Sequence, residues 1–252
     1  MIGAPAFAGA AALRSGAGLV EIAVPRSILA IALSITPELI GLGLREVADE
    51  EMLIEAADKA DAIVIGPGLG RLPEVEARVL RLVRIEKPMV VDADGLNILA
   101  AQKQWPAFFK AKAVLTPHPG EMKRLAKLLG RDKVPSDEPG RIEIARAAAN
   151  AFGQVIVLKG NGTVVTDGHR VYINTTGDST LSKAGTGDVL SGLLGCLLGQ
   201  EIDPFSAACL ATYIHGKAGE IAGKHRGMRG ALAREVVDAI PEAMMAYEKS
   251  GQ

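Results

Sequence analysis

Apolar positions along the chain fall into two alternating kinds of run. Short β-branched runs at 19–24, 38–44, 62–65, 89–91, 113–115 and 155–158 have the length and composition of strands. Between them, segments 50–59, 74–84, 121–129 and 141–152 carry apolar residues at helical spacing. This βαβ alternation predicts a mainly parallel central sheet with helices on both faces. After Leu158 the pattern changes. Runs 163–167 and 171–175 alternate and are joined by Gly168-His169, which reads as an antiparallel hairpin. The remainder reads as helices at 188–198, 204–226 and 234–249, and the opening Met1-Ile2-Gly3-Ala4-Pro5 enters a helix-like segment with no strand before it. No repeat or Pro/Ser-rich linker divides the chain, so residues 1–252 are expected to form a single domain.

Composition narrows the class of ligand. A chain of 252 residues lies within the range of one large domain and can bury roughly 70–75% of its unfolded surface. Lys and Arg (28) nearly balance Asp and Glu (29), which leaves no basic field to hold a nucleic acid or an anionic membrane. A small-molecule ligand is the expectation. Cys196 and Cys209 lie in apolar, helix-like stretches and are expected to be reduced and buried. No stretch approaches the roughly 18 apolar residues of a membrane span, and no signal-peptide pattern is present, so the expected location is cytoplasmic.

The strongest local motif is Ala184-Gly185-Thr186-Gly187-Asp188-Val189-Leu190-Ser191-Gly192. Glycines one residue apart let backbone N–H groups approach an anion, and the helix that follows adds the positive end of its dipole. Asp188 then reads either as a general base beside bound phosphate or as a helix cap. In Val157-Leu158-Lys159-Gly160-Asn161-Gly162-Thr163 a strand delivers a cation and pliable backbone to the sheet's carboxyl edge, where ligands of open α/β sheets bind; the alternative is a hairpin entry with a solvated lysine. Prolines on both sides of His118 in Leu115-Thr116-Pro117-His118-Pro119-Gly120-Glu121 hold the imidazole stiffly at a strand end. Glu121 reads as a stabilising first-turn carboxylate. Gly66-Pro67-Gly68-Leu69-Gly70 is a glycine-rich loop after a strand. Asp92, Asp94 and Asn97 either contact Mg²⁺ or substrate, or cap a helix. His169 and His225 read as solvated and His215 as a packed helix residue; no Cys/His spacing points to zinc.

In this order, GPGLG at 66–70, VVDADGLN at 90–97, LTPHPGE at 115–121, VLKGNGT at 157–163, AGTGDVLSG at 184–192 and Tyr213-Ile214-His215-Gly216 resemble the ribokinase-like superfamily. Within it, they resemble the ADP/ATP-dependent NAD(P)H-hydrate dehydratases over nearly the whole chain. The resemblance implies an α/β ribokinase-like fold: a mainly parallel central sheet with helices on both faces, then a C-terminal hairpin and helical segment. It implies a repair lyase that phosphorylates the C6 hydroxyl of hydrated NADH or NADPH, (6S)-NADHX/NADPHX, from ADP or ATP with Mg²⁺, after which phosphate elimination restores NADH or NADPH. Carried over by motif, Ala4, Gly68, His118 and Asp188 contact the hydrated dinucleotide, with Asp188 as the catalytic base. Lys159, Gly160, Asn161, Gly162, Thr163 and Gly187 hold the adenine nucleotide. No residue is assigned as a resident metal ligand. The family pattern also implies a homotetramer, and a strand with a Gly-Ser turn ahead of Gly3-Ala4, so the 1–252 domain is expected to lack that usual first strand. Two other readings stand beside this one: a ribokinase-like kinase of a vitamin precursor, and a non-catalytic nucleotide-binding sensor.

Overall fold

The computed structural model describes residues 1–45 and 49–250. The chain opens with α1 (Gly3–Arg14), β1 (Glu21–Pro25), α2 (Arg26–Ile35) and β2 (Ile40–Leu44). There follow α3 (Glu50–Lys59), β3 (Ile63–Ile65), α4 (Pro73–Leu82), β4 (Met89–Val91), α5 (Ala93–Ala101), β5 (Ala113–Leu115), α6 (Pro119–Ala126) and α7 (Glu138–Phe152). The last elements are β6 (Val155–Leu158), β7 (Val164–Thr166), β8 (Val171–Ile173), α8 (Thr186–Gly199), α9 (Pro204–Arg226) and α10 (Ala233–Ser250).

Strands β3 to β8 form one six-stranded sheet in sequence order. Neighbours from β3 to β6 are parallel; β7 and β8 return antiparallel, as the hairpin pattern predicted. Successive side chains leave opposite faces of a strand, and the core divides accordingly. Val90, Val114, Val157 and Val165 join residues of α1, α8, α9 and α10 on one face. Met89, Val91, Leu115, Ile156, Leu158 and Val164 join residues of α3 to α7 on the other. Because both faces are covered, β4, β5 and β6 are buried at every position, which explains their uninterrupted apolar sequences.

One crossing positions the site. A β-carbon at Gly192 of α8 would run into the Ala8 carbonyl of α1, so glycine there lets the two helices pack backbone to backbone. The alanine-rich α1 supplies the matching surface, with Ala4, Ala6, Ala8, Ala11 and Ala12 all buried.

The structure departs from the pattern-based reading in several places. Runs 19–24 and 38–44 do become β1 and β2, but among the described residues they pair only with each other, as a separate two-stranded parallel sheet. Their mixed exposure suits an outlying ribbon rather than central strands, and a small cluster of Ile22, Ala32 and Leu39 anchors it. Helices α2 and α5 were not anticipated. Cys196 is buried, but Cys209 is only half-buried, contrary to the expectation for both. Among the described residues, no helix is long and apolar enough to cross a membrane.

Candidate active site

The carboxyl ends of β3 to β6 bring together residues far apart in sequence. The ladder runs past the strands: Asp92 N–H donates to Ile65 O (3.0 Å), Thr116 N–H to Val91 O (3.1 Å) and Lys159 N–H to Pro117 O (2.9 Å). At this edge Asp92 is 1% exposed. The Lys159 ammonium donates to Asp92 Oδ1 at 2.7 Å, and the Ser191 hydroxyl of α8 donates to Oδ2 at 2.8 Å. Glu121 Oε2 stands 3.9 Å from the same ammonium. Burial works to discharge Lys159, but Asp92 and Glu121 outweigh it and hold its pKa above the ordinary lysine value. Burial pushes the Glu121 carboxyl up, against the opposing pull of Lys159. Immediately after Asp92, Ala93 takes a left-handed φ of 47°, a strained conformation for a residue with a β-carbon that persists only where its surroundings enforce it.

Above this cluster sits the first turn of α8. Its N-cap is Gly185 at φ 92°, with no side-chain cap, so the N–H groups that every helix start leaves unpaired are not consumed by a side chain. The turn is fixed from behind. Thr186 Oγ1 lies 2.7 Å from Leu181 O and 2.8 Å from Lys183 O. His215 Nε2 donates to Thr186 O at 2.8 Å; burial lowers the imidazole pKa to about 4, so it is neutral near pH 7. Lys183 donates to the carbonyls of Met228, Arg229 and Ala231. A β-carbon on Gly187 would lie 3.5 Å from Lys159 Nζ and 3.8 Å from Asp92 Oδ2, which sets the backbone of the turn directly over the ion pair.

Asp188 follows in that turn. It is 8% exposed, and no hydrogen bond to its carboxylate forms among the described residues. The helix-cap reading of Asp188 is therefore not what the structure shows. Burial raises its pKa to about 6, the Asp92 charge adds to the rise, and Lys159 and the Met1 ammonium oppose it. A carboxylate poised near neutrality beside a helix N-terminus has the properties of a general base for a hydroxyl.

The remaining loops close around this centre. A β-carbon on Gly66 would overlap the Asp92 carbonyl, and Gly70 N–H donates to Asp94 Oδ2 at 2.9 Å, so the GPGLG loop is fastened to the end of β4. Asp94 is thereby a loop anchor, and Asn97 accepts from Arg124 Nε at 2.6 Å. A β-carbon on Gly68 would come within 3.0 Å of the Ala4 β-carbon. His118 caps α6: its Nδ1 accepts from Gly120 N–H (2.9 Å), while Glu121 Oε2 accepts from His118 N–H (2.8 Å). In the KGNGT turn, Thr163 Oγ1 donates to Gly160 O at 3.0 Å. Arg141 donates to the carbonyls of Leu158 and Asn161.

With this geometry in place, the comparisons with known proteins are informative. The family model described as NAD(P)H-hydrate dehydratase matches residues 1–242. The chain belongs to that family. It is 40% identical over 259 aligned residues to the bifunctional NAD(P)H-hydrate repair enzyme Nnr of Moorella thermoacetica, covering 99% of this chain and 48% of that protein. With the enzyme of the same name from Escherichia coli it shares 38% identity, covering 94% of this chain and 44% of that one. The chain thus spans about half the length of the curated relatives it matches. Among solved structures, it is similar to an ADP/ATP-dependent NAD(P)H-hydrate dehydratase of Bacillus subtilis co-crystallised with ATP and Mg²⁺. That match has TM-score 0.81 and 31% identity, over 98% of this chain and 86% of that one. A hydroxyethylthiazole kinase of Pyrococcus horikoshii matches with TM-score 0.67 and 20% identity, over 94% of this chain and 93% of that one; this likeness is one of fold.

In this member of the dehydratase family, the residues assigned by motif are partly gathered. Lys159, Gly187 and Asp188 share one centre, and Ala4 touches Gly68 beside it. His118 joins the centre through Glu121, whose Oε1 is 3.3 Å from His118 Nε2. Gly160, Asn161, Gly162 and Thr163 follow Lys159 in the β6–β7 turn, the first two exposed and the last two half-buried. The motif assignments left out Asp92, Glu121 and Ser191 as members of the charged centre, and Arg141, Thr186 and His215 as its supports. Two of these had a readable signal: Asp92 as a carboxylate closing a buried strand, and Glu121 because a residue able to cap, followed three positions later by Glu, is a capping-box spacing.

Proposed function

We propose that the chain is an ADP/ATP-dependent NAD(P)H-hydrate dehydratase. It takes the C6 hydroxyl of hydrated NADH or NADPH as phosphoryl acceptor and releases the reduced cofactor. The observation that carries this reading is Asp188: a buried carboxylate with its pKa raised to about 6 and no hydrogen bond among the described residues, in a helix turn whose N-cap is glycine.

On this reading Asp188 takes the hydroxyl proton as the oxygen attacks the terminal phosphoryl group, and ADP or AMP leaves. Backbone N–H groups of the Gly185–Gly187 turn and the α8 dipole stabilise charge on the transferring oxygens. Inorganic phosphate then leaves the ester with the electrons of the C6–O bond, the ring nitrogen supplies the compensating pair, and C5 gives up a proton to solvent to form the C5–C6 double bond. Ala4, Gly68 and His118 hold the dinucleotide, while Lys159, Gly160, Asn161, Gly162, Thr163 and Gly187 hold the nucleotide.

Mg²⁺ fits this centre as a companion of the nucleotide rather than as a resident ion. Among the described residues no group of three or more His, Cys, Asp or Glu is arranged to hold a metal, and both Asp92 oxygens already accept hydrogen bonds. Bound with the nucleotide, Mg²⁺ would neutralise charge on the phosphates. A homotetramer in the cytoplasm belongs to the same reading, and light scattering on the purified protein tests the first part.

The decisive experiment incubates the protein with Mg²⁺, ADP or ATP, and hydrated NADH, and follows recovery of the reduced-nicotinamide absorbance. Nucleotide-dependent recovery is expected. Phosphorylation of a hydroxyethylthiazole or hydroxymethylpyrimidine with no recovery assigns the chain to the vitamin-precursor kinases instead, and nucleotide binding without any turnover assigns it to the sensors.

A further inference from the structure

We propose that Asp92 is a positioning residue for this reaction: one carboxylate oxygen fixes the Lys159 ammonium and the other fixes α8 through Ser191, so that Asp92 sets how Asp188 meets the acceptor hydroxyl. This rests on the dehydratase reading and adds a role for a residue that the motif assignments leave without one.

The geometry is that of a hub. Lys159 lies 67 positions from Asp92 in sequence, and Ser191 lies 99; the single carboxylate therefore ties the ends of β4 and β6 to the second turn of α8. Ser191 Oγ is also 3.1 Å from the Gly187 carbonyl, which places the hub directly behind the backbone that turns toward phosphate. Asp92 itself has little freedom. Its carbonyl is covered by Gly66 and accepts from Gly95 N–H at 2.9 Å, and the residue after it is held at a left-handed φ.

A simpler account is that the pair stabilises the fold. Buried ion pairs are poor stabilisers, because the desolvation of both charges offsets their attraction. Strained backbone, in turn, concentrates where function requires it. Both point to a placement maintained for the chemistry. The charged groups facing Asp188 in this centre are Asp92 at the end of β4, Lys159 at the end of β6 and the Met1 ammonium, with Glu121 of α6 acting through Lys159. Asp92→Asn removes the anion that raises the Asp188 pKa and leaves the cation that lowers it.

The test is Asp92→Asn, read in three ways. The Asp188 carboxyl-carbon shift, followed by NMR against pH, is expected to titrate at lower pH than in the parent protein. The acid limb of the kcat/KM profile for hydrated NADH is expected to move the same way. Plateau kcat is expected to fall roughly 10- to 100-fold, as for a small misplacement of reacting groups, with the nucleotide KM changed less than about twofold. An unmoved Asp188 titration and acid limb overturns the proposal, and so does a loss confined to nucleotide KM, which would make Lys159 a phosphate ligand alone. Should Asp92→Asn fail to fold, Ser191→Ala keeps every charge and removes only one donor. It is expected to lower kcat several-fold with KM held, and full retention of kcat overturns the proposal. The NMR titration requires no turnover, so an inactive parent protein sinks the dehydratase reading while the coupling of Asp92 to Asp188 is still measured.

Discussion

Helices α6 and α8 both start at the carboxyl edge of the sheet, and they treat their unpaired N–H groups in opposite ways. At α6 the side chain of His118 and the carboxylate of Glu121 form a reciprocal capping box, so donors at that end are already used. At α8 the N-cap is a glycine, and among the described residues none donates a hydrogen bond to the carboxylate three residues later. A self-satisfied helix start has spent its donors; one without a side-chain cap keeps them available for an anion. The supports differ in the same sense. The side-chain hydrogen bonds that steady the α8 turn, from His215 to the Thr186 carbonyl, from Thr186 to the Leu181 and Lys183 carbonyls and from Ser191 to the Gly187 carbonyl, all end on carbonyl oxygens and use none of its N–H groups.

Substituting Asp188 tests the contrast most severely. Asp188→Asn preserves shape and removes the base, and turnover of hydrated NADH is expected to fall about 100- to 10,000-fold, with nucleotide affinity kept or improved. A folded variant with most of the parent rate would falsify the open-site reading of α8. In the parent enzyme kcat/KM should rise with pH through about 6, as the Asp188 carboxyl of the free enzyme loses its proton.

The same variant makes a stability prediction of opposite sign. The folded Asp188 pKa of about 6 lies above the ordinary value of 3.8, so the folded state binds this proton more tightly than the unfolded chain does. Its contribution to stability is fully present below about pH 4 and is lost as pH rises through 6. At pH 7.5 the buried charge is a net cost, and Asp188→Asn should stabilise the fold by on the order of 1–3 kcal/mol. Melting curves of both proteins at pH 7.5 and pH 3.5 check this: equal Tm differences at the two pH values would contradict it.

Filling the front of the α8 turn is expected to have a smaller effect. Gly187→Ala puts a methyl group at ordinary contact distance from Lys159 and Asp92, so folding is spared while the backbone is held off the phosphates. Nucleotide affinity should drop roughly tenfold, equivalent to about 1.4 kcal/mol. Calorimetry showing unchanged affinity would place the phosphates elsewhere. At the closed helix, His118→Ala should cost about 1 kcal/mol of stability through the lost cap and weaken hydrated-NADH binding, with ADP binding retained. Equal loss of both ligands would end the division between dinucleotide and nucleotide residues.

What was legible in the sequence follows from the range of each interaction. Strands β4, β5 and β6 were read to the residue because burial on both faces makes every position apolar. Helix α5 was missed because Asp92-Ala93-Asp94-Gly95 has the composition of a turn, and its helical conformation is imposed by the packing of Gly66 and Gly95 at the strand ends. Helix α2 was missed because Pro25 and the run of apolar residues after it obscured a helical period. Asp188, Lys159 and Gly187 were found because each sits in a local motif. Asp92 carried a local signal too, but its partners lie on β6 and α8, and nothing in the sequence around it specifies that pairing.

The backbone contact of Ala8 with Gly192 also bears on the order of assembly. Strands β3 to β6 and their connecting helices are built from contacts between chain neighbours, which form early, whereas docking α1 against α8 closes a loop of most of the chain and is slow by comparison. On a ribosome, Asp92, Glu121 and Lys159 emerge before Asp188 and Ser191, so the first three can be gathered ahead of α8. In that interval the Asp92–Lys159 pair must stand without α8 above it, and a chain halted there is expected to hold its charges together before it acquires the base.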